Sequence, residues 1–296
     1  MGLTRKILSQ FTLLALAVFP TEHVNAAEFY VDSSAPSCTL GLHMRGNITA
    51  GDKEKFDSII VANIHKSPAN CEKLVVIMSL NSDGGDVHVA IDLGYAIRKA
   101  EPHIFVRGNE RCLSSCVLLL AAGVQRTVLG EVGVHRPYFS ALDTDASLSQ
   151  IKQKRDATNA SIRKYLVDMD VSTALLDMML MVRPEEIRYL TREQLAQMRL
   201  SGIDANWDEM RTAKLASFYG LRSGEYRSRD ANAKARCDLA GSSIEDVIRY
   251  QACQDAIILG ISAAEAQKRR SVMGTRCKQT NYKDRFACMG SVMQGK

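Results

Sequence analysis

The sequence predicts an α/β protein with a largely parallel sheet, followed by a small helical module cross-linked by disulfides. Two observations carry this prediction. Apolar runs typical of buried strands alternate with segments of helical spacing, the pattern of strands joined by crossover helices. Four of the eight cysteines lie after residue 236, and small modules that lack a large core commonly rely on such cross-links.

The first 26 residues have the layout of a secretory signal peptide. Arg5 and Lys6 give a basic start, Phe11–Phe19 is apolar, and cleavage is expected after Ala26 or Ala27. The apolar run is shorter than the ~20 residues that a membrane-spanning helix needs, and no later segment approaches that length. We therefore expect an exported protein, periplasmic or secreted, without a transmembrane anchor.

The strands and helices can be followed along the chain. GLHMRGN predicts an opening strand and turn, and Leu74–Leu80 predicts a strand buried on both faces that ends in the glycine turn Ser82–Gly85. VHVAIDLGYAIRKA then has helical spacing. HIFVRG, RTVLG and VGVHRP predict further strands around a buried helix in RCLSSCVLLLAAG, residues 111–123.

The second half of the chain is predicted to be mainly helical. Ser147–Met181 is amphipathic, and TREQ, which begins at Thr191, has the spacing of a capping box. Residues 222–234 are polar without apolar periodicity and predict a domain boundary. The expected division is a signal peptide over 1–26, an α/β domain over 27–221 and a basic, Cys-rich helical module over 222–296.

Charge is concentrated in the last of these parts. Residues 222–296 contain 14 basic and 8 acidic residues, which gives a net charge of +6. The basic residues alternate with few aromatics, so a nucleic-acid platform is not expected. A solvated helical surface, an acidic partner and an anionic membrane face remain open as interpretations.

An even number of cysteines in an exported chain predicts disulfides before metal ligands. Only Cys112 and Cys116 are close in sequence, so neither a metal nor another cofactor is expected. Their Cα atoms would lie ~6 Å apart on a helix, which permits a bridge; the alternative pairs Cys112 elsewhere, for example with Cys71. The disulfide candidates are Cys38, Cys71, Cys112, Cys116, Cys237, Cys253, Cys277 and Cys288.

The sequence also contains the residue types that a serine hydrolase requires. Such an enzyme needs a nucleophilic hydroxyl, a base and backbone N–H groups aimed at the developing oxyanion. The turn Gly84-Gly85 can supply an N–H without a blocking side chain. Ser114 and Ser115 open a buried helix, and His135 follows a strand shortly downstream.

Four motifs in order resemble the proteolytic subunit of Clp protease and its relatives, over about residues 40–204. LNSDGGDVHVAIDLGYAIR is similar to that family's INSPGG turn and helix, SSCVLLLAAG to its ASMGAFLLAAG helix, VGVHRP to its VMIHQP strand, and GLHMRGNITAGD to its opening strand. CLSSC also resembles a C-x-S-A-C motif of exported, uncharacterised relatives. The resemblance implies the Clp protease and crotonase-like fold of repeated ββα units.

The same resemblance implies roles for individual residues. Ser114 takes the position of the nucleophile, His135 that of the base, and the N–H groups of Ser115 and of the turn Gly84-Gly85 form the oxyanion hole. The family's aspartate falls on Ile187, so Glu186 is the nearest candidate for the acid that orients His135. Such an acid contributes on the order of 10⁴ in rate.

Asp83 stands where the family has proline and brings a negative charge near the oxyanion. Arg126 and Arg136 are the candidates to compensate it.

The function expected is that of an exported serine peptidase or hydrolase acting on peptides or unfolded protein segments. No ATPase partner is expected, because the exported compartment lacks ATP. The family assembles through the helix that matches 147–181, which leaves a homo-oligomer open. The alternative is a weak or inactive binding or scaffold protein of the cell envelope; an acyl-coenzyme A reaction is less favoured because that cofactor is cytosolic.

Overall fold

The computed structural model describes residues 26–36, 38–66, 71, 74–138, 147–239, 241, 243–279 and 282–296. The signal peptide predicted over residues 1–26 lies outside the described residues except for Ala26. Among the described helices, none has both the length and the apolar character that crossing a bilayer requires.

Nine strands and eleven helices lie within these ranges. The strands are β1 (Glu28–Asp32), β2 (Thr39–Arg45), β3 (Val75–Asn81), β4 (His103–Val106), β5 (Arg111–Leu113), β6 (Gln125–Val128), β7 (Glu131–Val134), β8 (Arg188–Tyr189) and β9 (Gly202–Ile203). The helices are α1 (Asp52–Lys66), α2 (Val87–Lys99), α3 (Cys116–Ala121), α4 (Leu148–Asp168), α5 (Ala174–Met181), α6 (Arg192–Gln197), α7 (Ala205–Tyr219), α8 (Ser223–Arg236), α9 (Ile244–Leu259), α10 (Ala263–Arg276) and α11 (Tyr282–Met293).

A six-stranded sheet in the order β1-β2-β3-β4-β6-β9 forms the centre of the α/β part. Its four inner strands are parallel and its two edge strands are antiparallel, so the predicted mixed α/β class is confirmed. The prediction that β3 is buried on both faces is wrong. Met78 and Leu80 are fully buried, whereas Val75 and Ile77 point to the other face and are 52% and 39% exposed.

Helix α3 is the centre of the core. All six of its residues are buried, as its unbroken apolar sequence requires. Tyr165 of α4 is also fully buried, and its hydroxyl donates a hydrogen bond to the carbonyl of Leu118 at 2.7 Å. A Cβ at Gly94 would lie 2.0 Å from this hydroxyl, so glycine lets α2 approach the tyrosine.

Arg126 ties the ends of several helices together. Its guanidinium donates to the carbonyls of Ala121 and Met169, both at 2.8 Å, and to that of Arg199. These carbonyls lie at or just beyond the C-termini of α3, α4 and α6, where a helix leaves its acceptors unpaired. Asp204 lies 3.8 Å away and supplies the opposite charge. Burial lowers the pKa of Arg126 to about 10.

The helical predictions for the second half are largely confirmed, with one correction. The segment 147–181 contains α4 and α5, and the capping box at Thr191 begins α6. The polar segment 222–234, which was predicted to be a domain boundary, instead forms the N-cap and most of helix α8. Only Tyr226 and Ala233 are buried in this helix, so its apolar stripe was too narrow to show in the sequence. The division at 221/222 stays a prediction.

All eight cysteines are paired, and the predicted disulfides are confirmed. Cys112 pairs with Cys116, so the alternative pairing with Cys71 is wrong. The four bridges are Cys38–Cys71, Cys112–Cys116, Cys237–Cys253 and Cys277–Cys288.

Helices α7–α11 form a closed array in which each helix packs on the next and α11 returns to α7. Within it, α8 and α10 are equivalent helices 40 residues apart. Each ends at a bridged cysteine, and each carries an arginine that pairs with the glutamate four residues earlier. That arginine also donates, at 2.6 Å, to a carbonyl in the last turn of the following helix. Arg229 binds Glu225 and the carbonyl of Ile258, and Arg269 binds Glu265 and the carbonyl of Met293. The array is therefore built on a repeated helix pair.

Candidate active site

The sheet topology brings four of the predicted site residues into one cavity. The strands β5 and β7 are parallel neighbours, with Leu113 opposite Gly133. Ser114 follows β5 and His135 follows β7, so both lie at the carboxyl ends of paired strands, where α/β folds form their sites. Ser114, His135, Gly84 and Gly85 line the same cavity of about 630 Å³.

Ser114 has a backbone conformation that few residues other than glycine adopt. Its φ is +55°, in the left-handed region, which costs a residue with a Cβ roughly 1–2 kcal/mol. The Ser114 N–H donates to the carbonyl of Gly133 at 2.9 Å, and its own carbonyl accepts from Val117 at 3.2 Å. This sharp strand-to-helix turn leaves the half-buried Ser114 side chain on the cavity wall.

The glycine turn packs directly on this serine. Gly84 has a φ of +107°, and a Cβ there would lie 2.7 Å from the Cβ of Ser114. Gly85 has a φ of +144°, and its Cβ would lie 2.2 Å from the carbonyl oxygen of Ile48. Both positions therefore require glycine, for the backbone conformation and for the space.

Two backbone N–H groups of the predicted oxyanion hole have no hydrogen-bond partner among the described residues. Within the described part of the chain, the N–H groups of Gly85 and Ser115 take part in no hydrogen bond, whereas that of Gly84 is bound by the Ser82 hydroxyl at 3.1 Å. The buried Ser115 hydroxyl donates to the carbonyl of Gly85 at 3.0 Å. This bond joins two of the three predicted oxyanion-hole residues to each other.

His135 is hydrogen-bonded to the backbone. Its ring is 7% exposed, and Nδ1 lies 2.9 Å from the carbonyl oxygen of Arg136. A carbonyl only accepts hydrogen bonds, so Nδ1 carries a proton, and in the corresponding neutral tautomer Nε2 is the unprotonated nitrogen. No hydrogen bond in the described ranges joins His135 to Ser114, as is common in sites without substrate.

Glu186, the candidate orienting acid, is placed elsewhere. Its exposed carboxylate accepts from the guanidinium of Arg183, three residues earlier, with Nε at 2.9 Å. This hydrogen bond lowers the pKa of Glu186. Ile187 is the residue that packs against Gly133 on β7, so the position that the resemblance assigns to the acid carries an apolar side chain beside the histidine strand.

The charge of Asp83 is compensated, but not by the predicted arginines. Arg111 binds Asp83 through Nε at 2.5 Å and Nη2 at 2.8 Å, and this interaction raises the pKa of Arg111. Arg126 is committed to helix ends, and among the described residues the ion pair of Asp83 is with Arg111 and not with Arg136. The sequence did not indicate Arg111 because the partners are 28 residues apart and meet only through strand pairing.

Helix α4 contributes one wall of the cavity, which the sequence did not predict. Lys154 and Thr158 line the cavity, together with His88 and Tyr138. The His88 Nε2 atom lies 3.4 Å from the Thr158 hydroxyl. The polar residues at helical spacing around 154–158 were the only available signal, and on an amphipathic helix they also fit a solvated face.

A second, more polar cavity of about 520 Å³ adjoins the first and shares Asn47 and Asp83 with it. The ion pair of Asp83 and Arg111 lies between the two cavities, since Arg111 lines only the second. Across the described residues, no group of three or more His, Cys, Asp or Glu side chains is placed to hold a metal ion.

Comparison with known proteins leaves the site to be interpreted on its own geometry. No protein-family model matches the chain, and no curated protein matches it significantly.

Proposed function

We propose that this protein is an exported serine hydrolase with the Clp protease and crotonase-like fold, and that it acts as a peptidase without an ATPase. One observation carries the proposal: Ser114, in a left-handed turn, and His135 end two paired parallel strands and line one cavity. The four ordered motifs support the fold. The four disulfides support export, because such bridges persist in oxidising compartments.

In this mechanism the hydroxyl of Ser114 attacks the carbonyl carbon of a peptide bond, and its proton passes to Nε2 of His135. The N–H groups of Gly85 and Ser115 receive the oxyanion. His135 then donates the proton to the leaving amine, and a water molecule hydrolyses the acyl-enzyme by the same route. The hydrogen bond from Nδ1 to Arg136 selects the tautomer, but a neutral carbonyl stabilises the imidazolium less than a carboxylate does, so we expect slow turnover.

A fluorophosphonate probe tests the nucleophile, because only an activated serine reacts with it. We expect one adduct per chain, mapped to Ser114 by mass spectrometry, and none in Ser114→Ala. His135→Gln should slow labelling on the order of 10²-fold or more, as expected for loss of a general base. Ser161→Ala, which removes a hydroxyl bonded within α4, should label like the wild type. Labelling that persists in Ser114→Ala would refute the assignment.

The second candidate is a binding protein that has lost catalysis. Within the described ranges no carboxylate is hydrogen-bonded to His135 and Glu186 is paired locally, and both observations favour this function. This function predicts no labelling of the folded protein, together with binding of an unfolded chain such as reduced, carboxymethylated lactalbumin. Binding measured by calorimetry would then be equal for the wild type and Ser114→Ala, with the bound chain recovered uncleaved.

A further inference from the structure

One disulfide encloses the candidate nucleophile. Cys112 lies in β5 and Cys116 is the first residue of α3, so the bridge closes a five-residue loop with Ser114 at its centre. Their Cα atoms are 5.2 Å apart, and both side chains are fully buried. The loop therefore contains the candidate nucleophile and the oxyanion-hole residue Ser115.

The residues in this loop depend on its shape. Ser114 has a φ of +55°, which an unconstrained chain seldom adopts at a residue with a Cβ. The hydrogen bond from Ser115 to the Gly85 carbonyl needs the same turn. A bridge across this loop restricts the conformations that the turn can sample.

The bridge is also connected to the glycine turn. The carbonyl of Arg111 accepts from Ser82 at 2.8 Å, and Leu113 donates to the carbonyl of Ser82 at 2.9 Å. These two bonds flank Cys112 and pair its strand with the segment that leads into Gly84. Holding Cys112 to Cys116 therefore fixes the nucleophile turn and the glycine turn relative to each other.

The other three bridges lie away from the site. Cys38–Cys71 joins the start of β2 to the segment before β3, and the remaining two lie in the helical array. None of their cysteines lines the cavity that contains Ser114. They consequently serve as matched controls for the loss of a disulfide.

We propose that the Cys112–Cys116 disulfide is a positioning element of the serine site, which makes Ser114 reactive only in the oxidised protein. The inference rests on the proposed function, since it assigns Ser114 as the nucleophile. In forming the bridge, the two thiols lose two protons and two electrons to a protein disulfide, which becomes a dithiol. Protein synthesised in a reducing compartment is therefore latent until it is oxidised.

The test compares Cys112→Ala/Cys116→Ala with Cys237→Ala/Cys253→Ala. The first variant should react with the fluorophosphonate probe at least 10-fold more slowly than the wild type, and the second within 2-fold, although both lose thermal stability. Hydrogen exchange followed by mass spectrometry gives a readout that is independent of reactivity. We expect faster exchange over residues 111–118 in the first variant alone, since the N–H groups of Ser114 and Val117 are hydrogen-bonded in the turn.

The outcomes separate the two proposals. A wild type that does not label refutes the serine hydrolase, and the exchange data then decide whether the bridge orders the turn. A wild type that labels at Ser114 while the first variant labels equally fast refutes the positioning role and leaves the hydrolase intact. If the double-alanine variant does not fold, Cys112→Val/Cys116→Ala, which restores buried volume, is measured in its place against the same expectations.

Discussion

Ser114 depends on a glycine thirty residues away in the chain. Because Gly84 has no Cβ, the turn after β3 can lie against the Cβ of Ser114. A Cβ at position 84 would lie only 2.7 Å from that atom. The motifs in the sequence indicated Gly84 and Ser114, because the turn and the helix start each have a local pattern. They did not indicate the pairing of Asp83 with Arg111, or of Glu186 with Arg183. Those pairings depend on strand register and side-chain direction, which local patterns do not contain.

Gly84→Ala should therefore damage the site more than the fold. The substitution strains the backbone at a φ of +107° and pushes into Ser114, so we expect at least a 10-fold slower reaction of Ser114 with a fluorophosphonate. Gly51→Ala is the matched control: its φ is +90°, and nothing lies within 4 Å of the added Cβ. Both variants should lose about 1 kcal/mol of stability or more in urea unfolding. Equal labelling of the two variants would contradict the close packing at Gly84.

Among the secondary-structure elements of the α/β part, three helices are joined at their ends by Arg126. Three helix ends converge on its guanidinium, which is 3% exposed. The sequence predicted the strand that carries Arg126 but not this role, because an arginine in a strand more often faces solvent. Helix α8 was missed for a related reason. Its two buried residues are seven positions apart, and the rest of its surface is polar.

The substitution Arg126→Met tests whether the guanidinium of Arg126 holds the three helix ends together. The substitution removes the hydrogen bonds that Arg126 donates to the three carbonyls and leaves Arg98 as the ion-pair partner of Asp204. We expect a loss on the order of 3 kcal/mol in the free energy of unfolding, measured by urea denaturation. Arg163→Met, which breaks an exposed ion pair with Asp177, should cost less than about 1 kcal/mol. Similar losses in the two variants would show that the buried guanidinium does not join the helices.

Among the charges of the whole molecule, those of the basic helical array are partly balanced within single helices. In the basic helical array, several cations pair with an acid three or four residues earlier on the same helix: Arg229 with Glu225, Lys234 with Asp230, Arg249 with Asp246 and Arg269 with Glu265. The sequence identified the excess of positive charge, and these local pairs favour the solvated helical surface among its interpretations. Ion pairs between helices also occur: Arg227 of α8 pairs with Glu209 of α7, and the fully buried Asp255 is bound by Tyr219 and Arg270.

The molecule should lose stability in alkaline solution. Burial raises the pKa of Tyr226 to about 12 and also raises the pKa values of Tyr165 and Tyr219, whereas unfolded tyrosine titrates near 10. The unfolded state therefore loses protons first, so stability is fully present below pH ~10 and falls as the pH rises beyond it. Folding lowers the pKa of Arg126, so this group opposes the trend. The three buried tyrosines act in the other direction and outnumber it.

Urea midpoints at pH 9 and pH 11 measure this effect, with tyrosinate absorbance at 295 nm as a second signal. We expect a lower midpoint at pH 11 and a smaller decrease in Tyr226→Phe, which has no phenol to ionise. A midpoint that does not change between the two pH values would contradict the assigned direction.

The return of α11 to α7 limits how the helical array can vary. Gln294, just beyond α11, donates to the carbonyls of Ser217 and Phe218 at 3.1 and 3.0 Å, and the rings of Phe218 and Phe286 lie 5.2 Å apart. An open stack of helix pairs can gain or lose whole units at either end, because each unit contacts only its neighbours. A closed array has no such end. Inserting another 40-residue unit would separate the contacts that join its first and last helices, so the number of units is set by the closure itself.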